Sequence, residues 1–226
     1  MEETNLTIIL ILLFVLILLP VMLAKITGSN PMEMFFGGRV RGTAFDKQNK
    51  EKEKKVPKVR NGSRQDLIQF LSLLTTFARK RRFPLMLPGT VAYEGETATL
   101  SAIMVTRAMV IGFNCFGYGG TVTAGDNDED WVQLRGEEKV TVESPTVKNA
   151  KQKELVEKIL AAEGRKDIPV EIFGVFTNPD VTLIRAGKAN CFVTERVMEM
   201  LGKEKYLADK GYVPAEVDKL LAGYKT

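Results

Sequence analysis

The sequence predicts a domain of α+β, or mixed α/β, class behind a single N-terminal transmembrane helix. Three observations carry that expectation. Residues 6–24, LTIILILLFVLILLPVMLA, hold no charged residue over 19 positions, and a helix of that length rises about 28 Å, close to a bilayer core. Between residues 90 and 143, short apolar and β-branched runs recur between Gly, Asn and Asp turns, the mark of closely spaced strands. Runs with apolar residues at helical spacing lie on both sides of them.

Residues 1–26 are the expected anchor. A cleaved signal peptide would open on a basic stretch, whereas this chain opens Met1-Glu2-Glu3 and leaves the apolar run through Met22-Leu23-Ala24-Lys25. Pro20 falls in the last turns, where a spanning helix tolerates it. From Lys25 to Arg82, 15 Lys or Arg face 5 Asp or Glu, a local charge of +10, so the positive-inside rule puts the N-terminus outside and the bulk of the chain in the cytoplasm of a single-pass protein. Residues 27–62 read as a basic linker, because FDKQNKEKEKKVPKVRNG is Lys/Glu-rich and aperiodic. Its lysines suit anionic headgroups or nucleic acid phosphates equally well. Residues 83–226 carry 17 Lys or Arg and 21 Asp or Glu, a charge of −4, so the basic character belongs to the juxtamembrane part.

The folded part is expected to start with a helix at Ser63, where Ser63 and Asp66 make a capping-box start, Leu67, Ile68, Leu71, Leu74 and Phe77 recur helically, and Pro84 ends the run. Its end, Arg79-Lys80-Arg81-Arg82, complements the helix dipole, with a nucleic-acid or lipid-headgroup patch as the alternative. Strands are expected at 90–93, 97–106, 108–115, 119–123, 131–134 and 139–143. The stretch LSAIMVTRAMVIGFNC, turning near Thr106 and Arg107, is too apolar for edge strands and belongs at the sheet centre. A helix follows Pro145, with Val147, Leu155, Ile159 and Leu160 in phase and Gly164 as its stop, then strands in VEIFGVFTN and VTLIRA. Two short helices close the chain, and residues 191–226 read as a helical extension. Composition supports one domain of ordinary size, since 226 residues with 45% hydrophobic content hardly fill two.

Chemistry is bounded by what is missing. The chain has no histidine, which excludes Ser-His-Asp and Cys-His catalysis and His-ligated metal sites. Cys115 and Cys191 form no CxxC pair and read as buried small hydrophobes, reduced as a cytoplasmic domain would keep them. Gly117, Gly119 and Gly120 in GYGGTVTAG lack a following helix and a GK[ST], so they read as turn or bulge glycines. The run DNDED, 126–130, lacks the glycine and distal glutamate of an EF-hand and reads as a solvated turn. Trp131 reads as a packing residue, and Met198, Met200 and Leu201 as the apolar face of a tail helix, where exposed methionines would suit an adaptable partner surface.

The succession LSAIMVT-RAMVIGFNCFGYGGTVTAGDNDEDWVQL, then SPTVKNAKQ, then IFGVFTN, resembles the nuclease-related domain called NERD. The likeness spans residues 64–186 and places the domain at 63–190. It implies a restriction-endonuclease-like core, a mixed sheet flanked by helices, in a bacterial chain. It also implies a PD-(D/E)xK site, in which two carboxylates hold a divalent metal that polarises the phosphate and a lysine offsets the developing charge. On this chain the aspartate position falls on Ser101, the acid on Gly112 and the lysine on Asn114, so all three are replaced. The family's Asn-Pro-x-x-Gln helix start survives only as Ser144-Pro145 with Lys148. Glu94, Glu96 and Asp126 are the nearest carboxylates to the hairpin and fall in expected turns, while Asp66 lies near a position where the family often has glutamate.

The resulting expectation is a membrane-anchored, catalytically inactive NERD-like pseudonuclease domain that serves as a binding or scaffold module for a protein partner, with no metal and no cofactor. The alternative is a nucleic-acid-binding protein, or a metal-dependent nuclease whose site has migrated.

Overall fold

The computed structural model describes residues 61–125 and 130–226, which lie within one compact unit, Val56–Thr226. The expected anchor and nearly all of the expected linker fall outside the described residues. Among the described residues, no helix is long and apolar enough to cross a membrane. The architecture is mixed α/β with mixed sheets, in agreement with the sequence reading.

The first helix, α1, spans Arg64–Arg81 and has a complete capping box, in which Ser63 Oγ accepts from Asp66 N–H and the Asp66 carboxylate accepts from Ser63 N–H at 2.6 Å. A five-stranded sheet follows in the spatial order β1 (Leu85–Met86), β4 (Ala102–Val105), β5 (Val110–Phe116), β9 (Val170–Phe176), β11 (Cys191–Val193). The first three strands pair antiparallel and the last three parallel. β5 is central, as its largely apolar character predicts.

Strand alternation sorts the sheet's side chains into two cores. Ile103, Val105, Val110, Val170 and Ile172 meet Leu155, Val156, Ile159 and Leu160 of helix α2 (Pro145–Ala162) and Val217 and Leu221 of helix α5 (Pro214–Ala222). Met104, Ile111, Phe113, Phe173 and Val175 meet Phe70, Leu74 and Ala78 of α1 and Val197 and Leu201 of helix α3 (Thr194–Leu201), with Tyr206 from the single-turn helix α4 (Glu204–Leu207). Helices thus cover both faces, and each fully buried aliphatic or aromatic side chain contributes about 1.5–3 kcal/mol.

A second sheet, in the order β10 (Val181–Ile184), β6 (Gly120–Ala124), β7 (Trp131–Arg135), β8 (Glu138–Val142), sits over a third cluster at the ends of β5 and β9. There Trp131 is fully buried, stacked on Phe176 with centroids 6.0 Å apart, and its Nε1–H donates to Thr146 Oγ1. A two-stranded ribbon of β2 (Gly89–Tyr93) and β3 (Glu96–Leu100) completes the strands, with Glu94 and Gly95 at positive φ in its turn.

Four expectations need correction. The strand expected at 97–106 is two strands, because the chain bends at Ser101 and β3 joins the ribbon while β4 joins the main sheet. Ile68, placed on the inward stripe of α1, is 48% exposed; the stripe runs through Phe70, Leu74 and Ala78, about half a helical turn away. The last residues of the expected linker are built into the domain, since Asn61 Oδ1 accepts from Gln133 Nε2–H and Gly62 N–H donates to Gly117 O. Residues 191–226 begin as strand β11 and supply Val197, Leu201, Val217 and Leu221 to the two cores, so they are part of the domain itself.

Candidate functional site

The hairpin β4–β5 pairs Ile103 with Gly112 and Ala102 with Phe113, and the turn between is tied by Thr106, whose Oγ accepts from the N–H groups of Ala108 and Met109. This register brings the three positions singled out in the sequence into one patch. Ser101 N–H donates to Phe113 O at 2.8 Å, and Ser101 Oγ accepts from Cys115 N–H at 3.1 Å. Gly112 and Asn114 share the face that looks toward α2.

Each of the three has a structural occupation. A Cβ on Gly112 would run into Ile172 Cδ1 and lie 2.9 Å from Leu100 Cδ1, so the glycine leaves the space those side chains fill. Asn114 is 5% exposed, and its Nδ2 donates to Asn149 Oδ1 at 3.2 Å and to Gln152 Oε1 at 3.0 Å. Gln152 Nε2 in turn donates to Thr99 O at 2.8 Å, tying the ribbon to α2. The meeting point of hairpin and helix is therefore sealed by a ladder of neutral amides. One donor in it, Asn149 Nδ2, is buried without a hydrogen-bond partner and lies against Gly174.

Asn149 and Gln152 carry this ladder and were missed by sequence reasoning. The available signal was the apolar stripe of α2: carried back from Ile159, Leu155 and Val156, the inward face arrives at Gln152 and Asn149.

Over Gln152, between β3 and α2, lies a cleft of about 640 Å³ lined by Thr97, Thr99, Ser144, Lys148 and Lys151. An adjoining depression of about 410 Å³ continues it past Glu96, Glu154 and Lys158. Ser144 caps α2 by accepting from Val147 N–H, and Pro145 takes the first helical position, where no N–H is needed. Lys148 pairs with Glu143 at 3.0 Å and stands 5.8 Å from the Phe116 ring centroid. Lys158 bridges Glu154 and Glu96, and the Glu154 hydrogen bond holds its ammonium above the ordinary lysine range. Lys151 makes no ion pair with a described residue. The cleft thus offers hydroxyls and cations, with its carboxylates engaged by lysines.

Neither thiol is poised for chemistry. Burial pushes Cys115 up to about 11 and Cys191 up to about 12, the latter against the opposing pull of the Gly174 backbone. Among the described residues, no group of three or more His, Cys, Asp or Glu could hold a metal ion. Asp66 is engaged in the capping box, Glu94 is in the ribbon turn and Glu96 opens β3. Residues 126–129, including Asp126, lie outside the described residues. No protein-family model, curated protein or solved structure matches this chain.

Elsewhere, Gly119 O accepts from Gln133 Nε2–H, and Gly120 opens β6 at φ 72°, the role of a strand-entry glycine. Met198 and Met200 pack at the edge of the α1–α3 core and Leu201 lies inside it. The basic cluster Arg79, Lys80, Arg81 and Arg82 is exposed, and none of its members pairs with a described carboxylate. Arg82 adopts the left-handed conformation of a helix C-cap, donating its N–H to the carbonyls of Ala78 and Arg79.

Proposed function

We propose that this chain is a membrane-tethered binding or scaffold module with a restriction-endonuclease-like core of NERD type that has lost its catalytic site. The observation that carries the reading is the amide ladder: where a PD-(D/E)xK site would place a metal-binding acid and a lysine, Gly112 makes room for Leu100 and Ile172 while Asn114 is bonded into α2. A serine and a glycine, at positions 101 and 112, cannot replace the paired carboxylates that bring a divalent cation to a phosphate. The element order supports the fold assignment, with an antiparallel hairpin continuing into a parallel strand and helices on both faces. The 19 uncharged residues and the +10 flank support a single anchor with the domain on the cytoplasmic side.

The test is to incubate the compact unit, residues 56–226, with labelled single- and double-stranded DNA and RNA at two salt concentrations with Mg²⁺ or Mn²⁺. Intact strands are expected throughout. Metal-dependent cutting that disappears in Ser101→Lys overturns the proposal. Retention of intact strands that weakens steeply with salt supports the second reading, a pseudonuclease that keeps its nucleic acid, for which the exposed cluster 79–82, without a carboxylate partner among the described residues, is the favouring observation. Resistance of the full chain to alkaline carbonate extraction, with the domain protected from protease outside intact cells, is the result expected of the anchor and its orientation.

A further inference from the structure

We infer that the outward face of α1, with the basic cluster at its end, is a docking surface for anionic phospholipid headgroups. Four properties of the face lead there. Its exposed side chains include two aliphatics, Ile68 at 48% and Leu73 at 44%. Between them Ser72 and Thr76 stand at helical spacing, and the Thr76 hydroxyl donates back to Ser72 O at 2.9 Å, so its desolvation at an interface leaves no donor unmet. Arg79 and Lys80 continue the same face, with Arg81 and Arg82 beside them, exposed and without a described carboxylate partner. The helix's sole acid, Asp66, is held in the N-terminal capping box at the opposite end.

Cations next to an uncharged, partly aliphatic helix face match a bilayer interface, where charges meet headgroups while the apolar body sinks toward the acyl boundary. A nucleic acid backbone offers phosphates but nothing for Ile68 and Leu73. Charge complementarity therefore selects an anionic leaflet, and its location follows if the anchor of the preceding subsection spans the membrane. The 38 residues between Ala24 and Ser63 reach at most about 130 Å, which confines the domain to the neighbourhood of one leaflet and makes docking an intramolecular event.

The experiment uses the full chain in lipid nanodiscs, with an environment-sensitive dye on Leu73→Cys. The native thiols stay protonated at neutral pH, and parent chain carried through the same labelling measures any dye they take up. Blue-shifted emission, quenched by a headgroup-level quencher, is expected in discs containing anionic lipid and not in zwitterionic discs. Arg79→Gln with Lys80→Gln and Arg81→Gln should weaken contact about 100-fold, at roughly fivefold per charge. Arg82 is left in place because it caps the helix. Equal dye exposure in the two lipids, or shielding produced only by added DNA or RNA, overturns the proposal. Failure of the chain to enter either disc would instead refute the anchor; flotation of the same labelled chain on anionic vesicles then decides the docking face alone, with binding lost in the triple variant supporting it and absence of binding overturning it.

Discussion

Asn114→Ala tests whether the hairpin and α2 are sealed together or merely adjacent. The substitution removes both hydrogen bonds of the Asn114 amide, at 3.2 and 3.0 Å, and leaves Asn149 Oδ1 and Gln152 Oε1 without that donor in a place where both residues are more than nine-tenths buried. Each buried acceptor left unmet costs about 1–3 kcal/mol, so the loss should be about 2–5 kcal/mol, toward the lower end if water enters the vacated space. At a urea m-value of about 2 kcal/mol/M, the unfolding midpoint should fall by about 1–2.5 M. Trp131, the chain's single tryptophan, is fully buried and reports the transition by its fluorescence. A double-mutant cycle with Gln152→Ala should give a coupling of at least about 1 kcal/mol, since the two amides share a bond. A cost below about 0.5 kcal/mol with no coupling would mean that the ladder is open to water and that the junction of hairpin and α2 is not sealed.

Gly112→Ala should destabilise by about 1–3 kcal/mol through overpacking against Ile172 and Leu100, measured by the same urea titration. Alkaline titration should show stability fully present below about pH 9 and lost as pH rises toward 11 and 12, because burial raises both thiols and the native state holds their protons more tightly than the unfolded chain does. The slope is about 1.4 kcal/mol per pH unit for each thiol, and Cys191→Ala should flatten the limb that persists toward pH 12. Arg107→Ala, which breaks an exposed pair with Asp209 at 3.2 Å, should change stability by no more than about 0.5 kcal/mol.

The fold was readable wherever one apolar pattern, helical or continuous, ruled a segment. α1 and α2 announced themselves because their apolar residues recur at helical spacing with clear stops, such as Pro84, Pro145 and Gly164, and the central hairpin and β9 because their apolar runs are nearly continuous. The break at Ser101 was not readable, because Leu100 and Ala102 are both buried and nothing in TLSAIMVT marks that they serve different sheets. Strand β11 is only three residues long and was hidden ahead of a helix whose phase is stronger. The site was half legible. Sequence located Ser101, Gly112 and Asn114 by resemblance, but the partners of Asn114 are polar residues on a helix, and polarity alone does not tell an inward amide from a solvated one. Only the phase of α2 could have separated them, and Asn149 and Gln152 sit at its less apolar end.

The same packing says what introducing the PD-(D/E)xK residues would do. Placing Asp at 101, Glu at 112 and Lys at 114 puts charge into a patch whose present groups are a serine that accepts a backbone N–H, a glycine enclosed by Leu100 and Ile172, and an amide bonded twice into α2. Even with water penetration the ions at the buried positions 112 and 114 each cost several kcal/mol, and the glutamate also forces Ile172 and Leu100 aside. Together with the lost amide bonds, the sum reaches or exceeds the 5–15 kcal/mol that typically hold a domain folded. The expected result for Ser101→Asp with Gly112→Glu and Asn114→Lys is a chain without a cooperative unfolding transition and without metal-dependent cutting. A stable triple variant that cuts DNA with Mg²⁺ would overturn this, because it would mean that the hairpin has room for the chemistry. With Leu100, Ile172 and the α2 amides packed over the patch, the neutral residues are part of the core, and charge can be placed there only if the core is rebuilt around it.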